Sequence, residues 1–277
     1  MKKQGCLPRL ILLLVVGLTL AGFWYFENYT IVTEELSVAT SVLPQGFEGY
    51  RITQVSDNHG KIFGADNQDL IDAVSATQPD IIVLTGDIVD DDDQLADLPT
   101  LVDGMVEIAP TYYISGNHEW TMDMDGVFQI MEDCGAISLR NQYVPLTQNG
   151  QTILLAGFDD PNGPADQETP AQVMARLRQD HGDCFVVALY HRNDQLELFA
   201  DLGVDLVLSG HGHGGIVRLP YIGGVIGTDR SLFPDYTAGL YQSGGTQMVV
   251  SRGLGGNDGW DFRIGNRPHL PVVELQR

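Results

Sequence analysis

The sequence predicts an α/β domain carried behind one N-terminal membrane helix, and three observations carry that expectation. Short aliphatic runs of strand length alternate with stretches of helical periodicity from residue 50 onward. Five of those runs end in a small polar cluster: Asp57/His59, Asp87, Asn117/His118, His191 and His211/His213. In α/β sheets ligands gather beyond the carboxyl ends of the strands, so clusters distant in sequence are expected to share one edge. The third observation is an unbroken apolar run, Leu10 to Phe26, near the start of the chain.

That run contains Thr19 as its one polar side chain and lies at the short end of the roughly 17–25 residues a spanning helix requires. Lys2, Lys3 and Arg9 precede it, while Glu27, Glu34 and Glu35 follow it, which places the N-terminus on the cytoplasmic side. Trp24 and Tyr25 suit the aromatic belt of a membrane interface. A cleaved signal peptide is the rival, but Phe23-Trp24-Tyr25-Phe26 is a poor small-residue cleavage site, so an uncleaved anchor is expected.

Beyond the anchor, strands are expected at 30–40, 50–56, 80–85, 111–115, 152–157, 184–189 and 204–208, then in shorter pieces at 216–219, 246–251 and 270–275. Helices are expected at 67–77, 94–108 and 169–179, the last with Thr169 as N-cap and Pro170 at its first position. The strand ending at Leu208 runs into Ser209-Gly210-His211-Gly212-His213-Gly214-Gly215. Its glycines release the backbone from strand alternation, so two imidazoles can reach one small space.

The chain has 277 residues, 43% of them hydrophobic, enough to bury a large core in one domain. A formal charge of -22 excludes nucleic-acid binding through a general positive field, so an anionic substrate would need a local positive centre. The three cysteines, Cys6, Cys134 and Cys184, are too few for a disulfide scaffold, although one Cys134–Cys184 bridge is open to the sequence.

The clustered donors are Asp57, His59, Asp87, Asn117, His191, His211 and His213. Imidazole and carboxylate together suit divalent first-row metals. Seven donors exceed one tetrahedral site but suit two ions sharing a ligand, with Asp87 in the middle of the set. Such a pair, about 3.5–4 Å apart, clamps the attacking and leaving oxygens of a phosphoryl displacement and activates water.

Asp57-x-His59, Gly86-Asp87-x-x-Asp90, Gly116-Asn117-His118-Glu119, His191 and Gly210-His211-x-His213 resemble the five ordered motif blocks of the calcineurin-like metallophosphoesterases. The resemblance is closest to small membrane-anchored bacterial phosphodiesterases, through Gly210 to Gly215 and the tail Ser251-Arg252-Gly253-Leu254-Gly255…Asn266-Arg267-Pro268. It departs from that branch at Gly212, where threonine is frequent.

The resemblance implies a four-layer αββα sandwich with two mixed β-sheets. Residues 1–9 would be the cytoplasmic N-terminus, 10–26 the anchor, 27–48 a linker and first strand, and 49–277 the metallophosphoesterase domain. Asp57, His59 and His213 would hold one ion, and Asn117, His191 and His211 the other, with Asp87 bridging. His118 would serve the leaving group as acid or donor, while Asp90 and Glu119 would orient ligands. Manganese is favoured, with iron, zinc and magnesium open. A metal-bound hydroxide would attack phosphorus in a phosphodiester or pyrophosphate bond, and the location of the domain outside the cell membrane suggests lipid or cell-envelope substrates. Arg252, before a glycine-rich turn, and Arg192 are candidate anion contacts. The rivals are a binuclear amide or lactone hydrolase, disfavoured by the Gly116 to Glu119 block, and a non-catalytic metal-binding module. His181 and His269 are expected at the surface, and Ile62 and Phe63 on an exposed apolar rim.

Overall fold

The computed structural model describes residues 6–228, 230–256 and 262–277. Lys2 and Lys3, which set the expected orientation of the anchor, and the side chain of Cys6 lie outside the described residues. Helix α1 (Cys6–Tyr29) comes first and contains a segment, Pro8–Tyr29, long and apolar enough to cross a membrane. A signal sequence passes the same test of length and composition. From Pro8 to Phe26 every residue is exposed, whereas Glu27 and Asn28 are buried against the domain.

The chain then runs through β1 (Val32–Ala39), β2 (Arg51–Val55), α2 (Gln68–Ala76), β3 (Ile81–Thr85), α3 (Leu98–Val106), β4 (Thr111–Ile114), α4 (Met124–Asp133) and β5 (Ile137–Ser138). It continues through β6 (Tyr143–Gln148), β7 (Gln151–Phe158), α5 (Pro170–His181), β8 (Val186–Tyr190), α6 (Leu196–Asp201) and β9 (Leu206–Ser209). Last come β10 (Val217–Leu219), β11 (Gly223–Ile226), β12 (Gly239–Ser243), β13 (Thr246–Val250) and β14 (His269–Gln276). As expected, Thr169 caps α5, accepting from the Gln172 backbone N–H while the Gln172 side chain accepts from the Thr169 N–H.

Two six-stranded mixed sheets form, ordered β1-β14-β2-β3-β4-β5 and β12-β13-β9-β8-β7-β6, with β10 and β11 as a separate hairpin. In the first sheet β14 is antiparallel to β2, and β2, β3, β4 and β5 are parallel. In the second, β13, β9, β8 and β7 are parallel, with β12 and β6 antiparallel at the edges.

Strand alternation builds the layers. Ile82 and Leu84 of β3 pack under α2, α3 and α4 with Leu70, Val102 and Phe128, while Val83 between them faces the other sheet. There it joins Ile52, Ile114, Leu155, Val187 and Leu208 in the core between the sheets. On the far side α5 and α6 cover Leu154, Val186 and Val207 with Val173, Leu177 and Phe199. At the carboxyl edge the buried Gln54 amide donates to Thr85 Oγ1 and to the Ser209 carbonyl, both at 2.9 Å, joining the sheets beside the polar clusters.

Two expectations need correction, and one question the sequence left open is answered. Cys134 and Cys184 are separate free thiols, one following α4 over the first sheet and the other preceding β8 in the second. Phe63 is buried with the α2–α4 layer, so only Ile62 of that pair is exposed. His269 begins β14 and is fully buried between Glu34, 2.9 Å from its Nε2, and the Arg252 backbone N–H, which donates to its Nδ1.

Burial pushes the His269 imidazole down to about 4. An unfolded histidine takes its proton near 6.5, so the unfolded state binds more protons between those values. Stability should therefore be complete above about pH 6.5 and fall as pH drops toward 4. Urea midpoints measured across that window should show the loss, and His269→Gln should flatten the slope; an unchanged slope would remove His269 as its source.

Candidate metal centre

Each polar cluster is held by the turn that follows its strand. Asp57 follows β2, Asp87 follows β3, Asn117 and His118 follow β4, His191 follows β8, and His211 and His213 follow β9. Because these strands are parallel within each sheet, all the turns emerge at one edge. The turns are laced to each other through the backbone: Asp57 N–H donates to the Gly86 carbonyl and His59 N–H to that of Asp87, both at 3.0 Å.

Five predicted ligands, Asp57, His59, Asp87, His211 and His213, have positive φ between 46° and 65°. A side chain there strains the backbone by about 1–3 kcal/mol, and such residues cluster at functional sites. Asn117 is absent from that set, so its asparagine does not serve a left-handed turn. The motif glycines have a related cause, which is the approach of the neighbouring ligand. A Cβ on Gly116 would lie 2.1 Å from Asp87 Oδ1, and one on Gly210 would lie 2.3 Å from Asp57 Oδ2. Gly212 differs, since a Cβ there would meet the Asn193 side-chain amide at 2.4 Å. That amide donates to the Tyr236 carbonyl, so Asn193 occupies the space that a side chain at position 212 would need.

Eight side chains bring donor atoms into three trios, two of which share His59. Asp57, His59 and His213 bring ligand atoms within 4.8 Å of one another, as do Asp87, His191 and His211, and also His59, Asp90 and His118. His59 Nε2 and His213 Nε2 stand 3.0 Å apart, and His191 Nε2 is 3.0 Å from Asp87 Oδ2.

Hydrogen bonds at the far side of two of the rings, His191 and His59, orient them. His191 Nδ1 lies 2.8 Å from the Thr85 carbonyl, so it carries a proton and the ring turns Nε2 toward Asp87. Asp90 binds His59 Nδ1 in the same way. Asn117 Oδ1 is buried without a hydrogen-bond partner among the described residues. A buried acceptor left unmatched is costly, and lone pairs converging on one space are the arrangement a cation satisfies.

Electrostatics agree. Burial, reinforced by His59, pushes His213 well down; burial, reinforced by His191, lowers His211 to about 4. Both are thus neutral imidazoles, the form that binds metal. Burial opposes ionisation of Asp90, but hydrogen bonds from His118 and His59 hold it down to about 2. Burial would lower His191 too, yet the Asp87 carboxylate lifts it to about 10, so a metal ion bound at Nε2 would displace a proton.

Glu119 is fully buried and accepts from the backbone N–H groups of Asp87, Ile88 and Gly116 at 2.7–3.0 Å. It ties the second and third clusters together by their backbones. His118 lies at the rim, with Nδ1 3.1 Å from Asp90 Oδ1 and its N–H donating to Asp87 Oδ1.

The two arginines are differently engaged. Arg192 forks onto the buried Asp160 at 2.7 and 2.9 Å, and Arg252 Nη1 meets Glu34 at 3.1 Å. Sequence reasoning also missed supporting residues. Ser56 donates to Asp57 Oδ2 at 2.6 Å. The Asn266 amide donates to the carbonyls of His213 and Gly215, and Arg263 to those of Arg252, Gly255 and Asn266. Asn266 acts on main-chain atoms more than 50 residues away, a role the tail motif containing it does not announce, while Arg263 braces carbonyls three to eleven residues from itself. Asn266→Ala should cost about 1–3 kcal/mol, the scale of leaving buried acceptors unmatched, as measured by urea unfolding; a loss below that range would mean water replaces the amide.

The sequence and these positions agree with known proteins. Residues 50–215, which carry all five clusters, match the family model for calcineurin-like phosphoesterases. An uncharacterized metallophosphoesterase of Bacillus subtilis, YkuE, is 32% identical over 240 residues, covering 83% of this chain and 81% of its own. The phosphodiesterase YaeI of Escherichia coli is 28% identical over 203 residues, 72% of this chain and 71% of its own. Among solved structures, the NAD nucleotidase of Haemophilus influenzae superposes with a TM-score of 0.52 at 14% identity, over 74% of this chain and 45% of that one, a likeness of fold. With its metal-type donors gathered at the sheet edge where the family motifs fall, the chain belongs to the calcineurin-like phosphoesterases and is a metal-dependent phosphoesterase.

Proposed function

We propose that the chain is a membrane-anchored phosphodiesterase with a two-ion centre, in which Asp57, His59 and His213 hold one ion, Asn117, His191 and His211 hold the other, and Asp87 bridges them. The observation that carries this is the pair of separate trios, each with ligand atoms within 4.8 Å, flanking one space. Divalent ions bound there supply an activated water and neutralise charge on the phosphoryl oxygens. Manganese is the favoured ion, on family resemblance.

The chain's own groups do the rest. Asp90 fixes the His118 ring through Nδ1, leaving Nε2 to deliver a proton to the departing alkoxide. Glu119 holds the turns in register through three N–H groups. Arg252 and Arg192 stand as outer anion contacts, each already braced by a carboxylate.

The preference for diesters is supported by the likeness to a phosphodiesterase. The anchor is supported by burial of Glu27 and Asn28, which makes the end of α1 part of the folded domain. Lipid or cell-envelope diesters outside the membrane are then the substrates within reach. Bis-aryl phosphate should be hydrolysed faster than mono-aryl phosphate by the metal-loaded protein; the reverse order would overturn the diester assignment. The chain should also resist extraction from membranes at alkaline pH, and recovery in the soluble fraction would overturn the anchor.

A further inference from the structure

The end of α1 is bonded to the domain with no linker between them. Asn28 Oδ1 accepts from the Arg263 N–H at 3.0 Å, and Glu27 Oε2 accepts from the Asn266 N–H at 3.3 Å. The Arg267 guanidinium lies 4.4 Å over the Phe26 ring and donates to the Thr30 carbonyl. A helix that leaves a bilayer at Tyr29 would therefore set the face built from residues 263–267 directly on the membrane surface.

The β10–β11 hairpin grows from that same face. Arg218 N–H donates to the Ile264 carbonyl, and Val217 bridges Ile264. The tip Leu219-Pro220-Tyr221-Ile222 follows directly, with Tyr221 three residues beyond Arg218 and within about 10 Å of extended chain. It carries no charge and is open to solvent: Tyr221 is 108% exposed, Ile222 60% and Leu219 44%. Tyr221 also has φ 67°, a left-handed turn position that glycine or asparagine fills at lower cost. A bulky aromatic held in strain, with no partner for it among the described residues, points to a contact outside the chain.

We propose that this tip is a second membrane-contacting element, inserting Leu219, Tyr221 and Ile222 into the boundary between headgroups and acyl chains of the bilayer that holds α1. The inference rests on the anchoring of α1 proposed above. Charge selects the mode: a chain of net charge -22 is repelled by anionic headgroups, so an uncharged tip must enter by burial of apolar surface. The hairpin also packs on the histidine turn, since a Cβ on Gly215 would lie 2.9 Å from Gly224 Cα. Membrane contact at the tip is thereby adjacent to the metal centre, and would orient its mouth toward substrates held in the bilayer.

The test uses the full chain in phosphatidylcholine vesicles with plain or brominated acyl chains. The parent contains three tryptophans, so Tyr221→Trp and, separately, Ile222→Trp are read as emission added to the parent, and Trp24→Phe as emission removed. The added emission should be blue-shifted and quenched at least twofold by brominated chains, in zwitterionic lipid and at high salt alike. Added emission that is unquenched and water-like in both variants, while the Trp24 contribution is quenched, would overturn the tip contact and leave the anchor standing. If neither is quenched, the anchor fails and the tip contact fails with it.

Discussion

His118→Ala should lower turnover by roughly 10²–10⁴-fold, the scale of general acid catalysis, while both metal equivalents remain bound. Retention of metal is expected because the contact between residue 118 and Asp87 is made by the backbone N–H, which alanine keeps. The imidazole itself stands at the rim, hydrogen-bonded to Asp90 and outside the two trios assigned as ligands. The loss should depend on the leaving group. An aryl oxide departs without much help, so bis-aryl phosphate should suffer least, and an alkyl ester of the same phosphate should suffer most. Equal losses on both would remove the proton from His118. Loss of metal in this variant would show that His118 is a ligand.

Asp87→Ala should remove metal as well as activity, with turnover falling at least as far as in His118→Ala. Its carboxylate lies 3.0 Å from His191 Nε2 on one oxygen and accepts the His118 N–H on the other, so two clusters lose a common partner at once. The turn itself should survive, because Glu119 still receives the N–H groups of residues 87 and 88. Metal content measured on the folded variant separates the cases: two equivalents retained would show that Asp87 bridges nothing. A circular dichroism spectrum matching the parent keeps that comparison valid.

How far the site could be read from sequence depended on where its information lies. Ligand positions sit in short local patterns, because each strand must end in a tight turn and the approaching ligand of another turn leaves room only for glycine, as at Gly116 and Gly210. The parallel strands and the cap of α5 were legible for similar local reasons. The helices α4 and α6 were not, since α6 spans only Leu196–Asp201 and α4 follows directly on the Glu119–Thr121 turn. Pairing between the chain's two ends was also hidden. Strand β1 lies along β14, and only that pairing buries His269 against Glu34. The docking of Glu27 and Asn28 onto Asn266 and Arg263 spans more than 230 residues, and no local pattern announces it.

The most direct test is metal analysis of the purified chain by mass spectrometry, with activity on bis-aryl and mono-aryl phosphates, an amide and a lactone followed as metal is removed and restored. Two divalent equivalents per chain are expected, with phosphodiester hydrolysis lost on chelation, recovered as the ions return, and faster than turnover of the other substrates. A folded chain that binds no metal, or that hydrolyses diesters at full rate without it, would contradict a two-ion centre built from these seven side chains.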